Sequence, residues 1–190
     1  MERAATSPPP PDVAIRALRA ADADALHALA RQPSIDGRFA SAPHASLDRR
    51  REWLEALIRE QYALGAWSGE TLVGWSELAP GRLRRSHTAA VAIAVHDAWH
   101  RRGVGGALMR ETLRIADDWL GLRRIEAQLY ADDFVALAFH RRFGFEIEAT
   151  QRGAALRGAA LRGGVLVDGC LIARMKAPLP LAAAPGGTPT

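Results

Sequence analysis

His96-Asp97-Ala98-Trp99-His100-Arg101-Arg102-Gly103-Val104-Gly105-Gly106 follows directly on the apolar run Ala89 to Val95. The run reads as a buried strand that ends at Val95. A short polar turn comes next, and a glycine-rich loop bearing adjacent arginines then feeds a long amphipathic segment. A helix N-terminus presents unpaired N–H groups and the positive end of a dipole, so this arrangement suits an anionic phosphate. Gly103, Gly105 and Gly106 would let the backbone approach such a ligand without Cβ atoms in the way. Taken alone, the stretch also admits a glycine-softened connection from strand to helix. Two nucleotide loops are excluded. No Gly-Lys-Ser/Thr follows the glycines, and Leu108 occupies the last glycine position of the dinucleotide fingerprint.

Around this stretch lies a chain of 190 residues, enough for one good core and too short for two ordinary domains. Its 48% hydrophobic and 24% charged residues are those of a soluble globular protein. No apolar run reaches the length of a membrane span, and the N-terminus lacks the hydrophobic centre of a signal peptide, so the cytoplasm is the expected compartment. The single cysteine, Cys170, excludes an intrachain disulfide and reads as a strand-packing thiol. No cluster has the spacing of zinc ligands, and no metal is expected. The net charge of +4 raises nucleic-acid binding as a rival reading. The arginines are scattered among nearly as many carboxylates, however, with Lys176 the only lysine. No aromatic-basic platform accompanies the groups at Arg49 to Arg51 and Arg82 to Arg85. Neither nucleic acid nor a membrane is expected as a partner.

Met1 to Pro11 ends in four consecutive prolines and reads as a disordered tail. Val13 to Leu18 is a first strand, and Ala20 to Arg31 a helix with Asp22 near its start and Ala25, Leu26 and Leu29 inward. A long loop through Pro33, Gly37 and Pro43 offers Phe39 and His44 as pocket residues. A helix over Leu47 to Glu60 has Trp53, Leu54 and Leu57 spaced for its buried face. Tyr62 to Trp67 and Thr71 to Leu78 form a hairpin round Ser68-Gly69-Glu70. Thr88 to Val95 is apolar on both faces and therefore central in its sheet. The helix from Gly103 to Leu120 aligns Val104, Leu108, Ile115 and Trp119 on one stripe, and places Arg114 to pair with Asp118. Arg124 to Tyr130 is the next strand. Asp132 or Asp133 caps a short helix running to about Phe143, which Gly144 stops. Phe145 to Ala149 begins another strand, and Gly164 to Met175 forms the last. Between them Arg152-Gly-Ala-Ala-Leu156 recurs at Arg157 to Leu161, and the second copy reads as a duplication looped out of the final hairpin. Residues 177–190 are a second tail, which leaves 12–176 as the domain.

Just past the strand at Arg124 to Tyr130 stands Asp133-Phe-Val-Ala136-Leu-Ala-Phe139-His140-Arg-Arg-Phe143-Gly144-Phe145. In order, spacing and context, this motif and the glycine loop closely resemble the GNAT superfamily of N-acetyltransferases. The family loop reads Gln/Arg-x-x-Gly-x-Gly/Ala, which His100-Arg-Arg-Gly103-Val-Gly105 matches except at its first position. The family's Asn-x-x-Ala-x-x-x-Tyr-x-x-x-Gly-Phe is matched with Asp133 for Asn and His140 for Tyr. The resemblance spans Val13 to Lys176. Within the superfamily it is similar to bacterial L-amino acid N-acetyltransferases, in Ala107-Leu-Met-Arg-Glu111, Asp118-Trp-Leu, Arg124-Ile-Glu126, Phe143-Gly-Phe-Glu-Ile-Glu148, Val167-Asp168 and Ala173-Arg-Met175.

The resemblance implies an α/β (α+β) GNAT fold, with a central, mostly antiparallel mixed sheet of about seven strands, about four flanking helices, and a splay at strands 4 and 5. It implies acetyl-CoA as acetyl donor and a small primary amine as acceptor, an L-amino acid by the narrower similarity. The N–H groups from Arg101 and Arg102 through Gly103, Val104, Gly105 and Gly106 would wrap the pyrophosphate, with His100 at the head of the loop. Ile93, Ala94 and Val95 would pair with the pantetheine arm, Val95 supplying the N–H that meets the developing oxyanion. Asp133 belongs to the same cofactor motif. His140 stands where the family has the tyrosine that protonates the departing thiolate. Imidazole, with a pKa near 6.5, gives up a proton more readily than phenol near 10. Many family members carry a carboxylate on the fourth strand, and Ala89 to Val95 has none. Glu77 and Glu126 on flanking strands, or His44 through a water, remain as bases. The family's frequent dimers admit a homodimer. The expected function is acetylation of a small-molecule amine. The alternatives are acetylation of a protein N-terminus or an antibiotic amine, and a non-catalytic CoA-binding regulatory protein.

Overall fold

The computed structural model describes residue 10 and residues 12–35, 46–157 and 165–176. The strand β1 (Ala14–Ala17) leads through one 3₁₀ turn into α1 (Ala23–Ala30). Asp22 fixes that entry by accepting from the Arg19 N–H at 2.7 Å and from the Arg16 guanidinium at 2.7 and 2.8 Å. The Arg16 bond holds its carboxyl below the usual carboxylate range. The next helix, α2 (Leu47–Glu60), is capped by Ser46, whose Oγ accepts from the Arg49 N–H at 3.2 Å. β2 (Tyr62–Ser68) and β3 (Thr71–Pro80) form the expected hairpin, turning at Gly69-Glu70. Then come β4 (Thr88–Val95), α3 (Val104–Arg114), β5 (Arg124–Tyr130), α4 (Phe134–Arg141), β6 (Glu146–Arg157) and β7 (Val165–Met175).

The seven strands form one sheet in the order β1-β2-β3-β4-β5-β7-β6, with β4 at its centre. Every neighbouring pair is antiparallel except β4 and β5, which run parallel. That parallel pair is short. Only Thr88, Ala89 and Ala90 have ladder partners, in Arg124, Ile125 and Glu126, and beyond them the strands separate. The α/β fold and the splay at strands 4 and 5 are therefore as expected.

Helices cover both faces. Leu26 and Leu29 of α1 and Leu54 and Leu57 of α2 pack on Ala63, Trp75 and Ala94. On the other face Met109 and Leu113 of α3 meet Leu78, Val91 and Ile125, and Leu137 and Phe139 of α4 join the same cluster. The first turn of α3 presses closely on β3. A Cβ at Gly74 would stand 3.0 Å from Leu108 Cδ1 and 3.2 Å from Val104 Cγ1, so a larger residue would have to push these side chains back. One turn further on, the buried hydroxyls of Ser76 and Thr112 bond to each other at 2.8 Å.

Several expectations need correction. Trp119 is 75% exposed and lies off the buried stripe. After Arg114 the helix widens into a π turn over Ile115–Trp119, closed by the Leu120 N–H on the Ile115 carbonyl, which rotates Trp119 outward. Arg114 pairs with Glu111 at 2.6 Å, one turn behind it. Trp53 is 36% exposed and meets the sheet only edge-on, its ring 5.7 Å from that of Trp75. β6 runs on to Arg157 and takes up the whole first copy of the Arg-Gly-Ala-Ala-Leu repeat. Phe39, His44, residues 158–161 of the second copy and, apart from Pro10, both expected tails lie outside the described residues.

Candidate active site

The site begins in the backbone of β4. The His96 N–H donates to the Val73 carbonyl at 2.9 Å, and the Thr88 carbonyl accepts from the Gly81 N–H at 2.8 Å. Peptide groups alternate sides along an antiparallel strand, so those of Ala90, Ala92 and Ala94 also turn to β3. The N–H and C=O groups of Val91, Ile93 and Val95 turn the other way, into the splay. Of the expected stretch, Ile93 and Val95 thus open into the gap, and Ala94 serves the ladder with Trp75.

At the end of β4 a 3₁₀ turn over Asp97–Trp99 redirects the chain. His96 steadies it by accepting the Ala98 N–H on Nδ1 at 3.1 Å. The His100 ring then folds back, with Nε2 2.9 Å from the Val95 carbonyl. A carbonyl only accepts, so Nε2 carries the proton of this bond. Arg101 has φ +61° and Gly103 φ +88°, both left-handed, and the left-handed Gly103 caps α3 with its carbonyl accepting from Ala107 at 3.0 Å. The first-turn N–H groups of Val104, Gly105 and Gly106, which an α-helix leaves without internal partners, follow directly on this loop. Arg101 and Arg102 are exposed beside them, and the Arg102 guanidinium lies 5.1 Å from the Trp99 ring centre.

The second motif faces the first. A Cβ at Gly105 would lie 3.4 Å from Val95 Cγ2 and 3.5 Å from Phe139 Cε2, so glycine loop, β4 and α4 meet at one point. Asp133 is the cap of α4, its Oδ1 accepting from the Ala136 N–H at 3.1 Å. His140 is only 3% exposed, wedged edge-to-face between Phe139 and Phe145. Its Nδ1–H donates to the Ala136 carbonyl at 2.8 Å, which leaves the lone pair of the neutral ring on Nε2. Burial pushes the His140 pKa down, against the opposing pulls of that bond and of the Asp133 charge.

The two described carboxylates expected near the sheet differ sharply. Glu126 is taken, with Arg124 at 2.6 Å and Arg85 at 3.2 Å. Glu77 has a buried Oε2 with no hydrogen-bond partner, and desolvation pushes its pKa up to about 7. Asp97, in the turn after β4, has a partner that sequence reasoning missed. Its carboxylate accepts from the Ser34 hydroxyl and, at 3.4 Å, from the Ser34 N–H, so it ties the segment after α1 to the turn after β4. The partners are 63 residues apart, and no local pattern announces them.

The model of the Acetyltransferase (GNAT) family matches residues 24–145. The chain is 32% identical to the L-amino acid N-acetyltransferase AaaT of Escherichia coli K12, over 76% of its own length and 90% of that protein. A ribosomal-protein-alanine N-acetyltransferase from Brucella melitensis shares the fold with a TM-score of 0.73 at 22% identity, over 86% of this chain and 99% of that one. A GNAT superfamily phosphinothricin acetyltransferase from Sinorhizobium meliloti, solved in complex with acetyl-CoA, does so with a TM-score of 0.74 at 16% identity, over 86% and 88%. A family match across more than half the chain thus coincides with a splayed sheet on which both loop motifs converge, and the protein belongs to the GNAT family of N-acetyltransferases, with acetyl-CoA as its acetyl donor.

Proposed function

We propose that this acetyl-CoA-dependent enzyme acetylates the amine of a free L-amino acid. The observation that carries the acceptor class is the 32% identity to an L-amino acid N-acetyltransferase across 90% of that protein. Fold alone leaves the acceptor open, because neighbours of the same fold are named for ribosomal-protein alanine and for phosphinothricin.

Acetyl-CoA supplies an activated thioester carbonyl, and the residues of this chain fit it. The N–H groups of Val104, Gly105 and Gly106, reached through the left-handed Arg101 and Gly103, suit its pyrophosphate, and Arg101 and Arg102 add charge. Ile93 and Val95 offer peptide groups to the pantetheine arm, and the Val95 N–H is assigned to the carbonyl oxygen as charge develops there. One such donor is worth about 10²–10³-fold in rate. His100 steadies the Val95 peptide by its bond to the carbonyl. Asp133 holds the start of α4 in place. On that helix His140 is assigned the proton for the departing thiolate. Its Nδ1–H is committed to Ala136 and Nε2 carries the lone pair, so Nε2 first takes up the second proton of the attacking nitrogen and then hands it to the sulfur.

The test is a CoA-release assay over free L-amino acids, polyamines and a peptide with a free N-terminus. Gly105→Glu serves as the inactive control, since its side chain must enter the contact among β4, α3 and α4. Release with one or more amino acids is expected. Release with polyamine or peptide alone would overturn the acceptor assignment.

A further inference from the structure

The reading above leaves open which group takes the proton from the attacking ammonium, since β4 carries no carboxylate. We propose that Glu77 on β3 is the catalytic base, and so that the proton acceptor sits on the strand beside the one that lines the splay. The inference rests on the acetyltransferase reading.

Sheet register places it there. Ala63, Glu77 and Ala92 lie side by side on β2, β3 and β4, and so share one face. It is the face under α1 and α2, because Ala63 and Ala92 both pack in that cluster. Glu77 thus has a methyl group on either flank and nothing long enough to pair with it. Ala92 lies two residues past the last rung joining β4 to β5, and the Ile93 peptide that opens into the splay follows it directly. Adjacent strands are about 4.8 Å apart. A glutamate side chain is long enough to span that step, which would bring its carboxylate to the β4 edge where an amine must meet the thioester carbonyl.

Other titratable groups on this face leave Glu77 alone. The described ones are His27 on α1, Arg50 on α2, and Glu126 on β5 with its Arg85 and Arg124 partners. β2 and β4 present only alanines to it. Desolvation is the cause of its raised pKa, with no charge partner contributing. A half-buried carboxylate whose inner oxygen has no partner is costly, and a base is most effective when its pKa lies near the working pH.

The chemistry balances. The ammonium gives one proton to the Glu77 carboxylate, and the freed nitrogen lone pair forms the new C–N bond to the acetyl carbon. The C–S bond breaks with its electron pair on sulfur. The second nitrogen proton ends on that sulfur, and Glu77 returns its own proton to water.

The test compares wild type with Glu77→Gln in the CoA-release assay across pH, and measures acetyl-CoA binding by calorimetry. At pH near 7 the variant should lose about 10²–10⁴-fold in kcat/KM. Its affinity for acetyl-CoA should be unchanged, and the acidic limb near pH 7 expected of wild type should be gone. The loss should shrink with a dipeptide amine, whose pKa of about 7.7–8.0 leaves far more of it already neutral. Wild-type rates and an unaltered pH profile in the variant would overturn the assignment. So would an equal loss with every acceptor at every pH, which is the mark of a structural defect. If wild type acetylates polyamine or peptide but no amino acid, the acceptor proposal fails and Glu77 is judged on the amine that does react. Wild type that binds acetyl-CoA yet acetylates nothing would overturn both.

Discussion

Burial moves Glu77 and His140 in opposite directions, and their effects separate in a stability measurement. The Glu77 carboxyl rises from 4.5 to about 7 because it is desolvated. The folded protein therefore binds that proton more tightly than the unfolded chain does. The associated stability is complete below pH 4.5 and is lost as pH climbs through about 7. At 1.36 kcal/mol per pH unit, the loss is roughly 3 kcal/mol. Glu77→Gln keeps the shape and removes the charge, so at about pH 8 it should melt above wild type, and near pH 4 the two should coincide. For His140 the sign reverses. Its pKa is lowered from 6.5, chiefly by burial, so the unfolded chain takes up the proton first. Stability is complete above pH 6.5 and falls as pH drops towards the folded-state value. The two slopes oppose each other just below pH 6.5, and wild type should be nearly flat there. Glu77→Gln should uncover stability that rises with pH, and His140→Phe stability that falls. Melting temperatures across pH check both, and identical profiles for all three proteins would contradict the burial of either group.

Between β3 and α3 the decisive contact is polar. Thr112→Val strands the buried Ser76 hydroxyl, which should cost about 1–3 kcal/mol in denaturant unfolding. Ser76→Ala combined with Thr112→Val removes both partners and should cost less than the single change, a non-additivity expected only if the two hydroxyls bond. α4 depends on its cap in another way. It has only eight residues, so Asp133→Ala should lower stability by about 0.5–2 kcal/mol and weaken acetyl-CoA binding as the helix frays. These elements also show what the sequence could reveal. The hairpin, the glycine loop and the Asp133 cap rest on neighbours a few residues apart, and all three stand where local spacing put them. The end of α3 does not, because a π turn changes the period on which the Trp119 stripe depended. Nor could spacing separate Glu77 from Glu126. Both are carboxylates on flanking strands with alanines as cross-strand neighbours, and what separates them is the reach of Arg85, from the turn after β3, and of Arg124 to Glu126 alone.

Across the whole molecule, the β4–β5 junction joins the β1-to-β4 half of the sheet to the β5-β7-β6 half through three ladder positions. The contacts of α3 and α4 with both strands complete the join. A ligand lying between β4 and β5 would stand in for the missing rungs, so acetyl-CoA should act on this junction more than on either half. At about 100 times its Kd it should add about 2.7 kcal/mol to global stability. The location of the effect is a sharper test than its size. Along β4 the odd-numbered N–H groups from Val91 to Val95 face the gap, whereas those of Ala92 and Ala94 are already bonded to β3. Hydrogen exchange at Ile93 and Val95 should therefore slow when acetyl-CoA binds, together with the first-turn amides of Val104, Gly105 and Gly106. Exchange at Ala92 and Ala94 should change only as far as global stability does. Alternating protection along β4 would be the signature of a ligand arm paired into the splay as an added strand. Uniform protection of the strand, or protection centred on β6 and β7, would mean that the ligand binds elsewhere and acts on the junction only by tightening the fold.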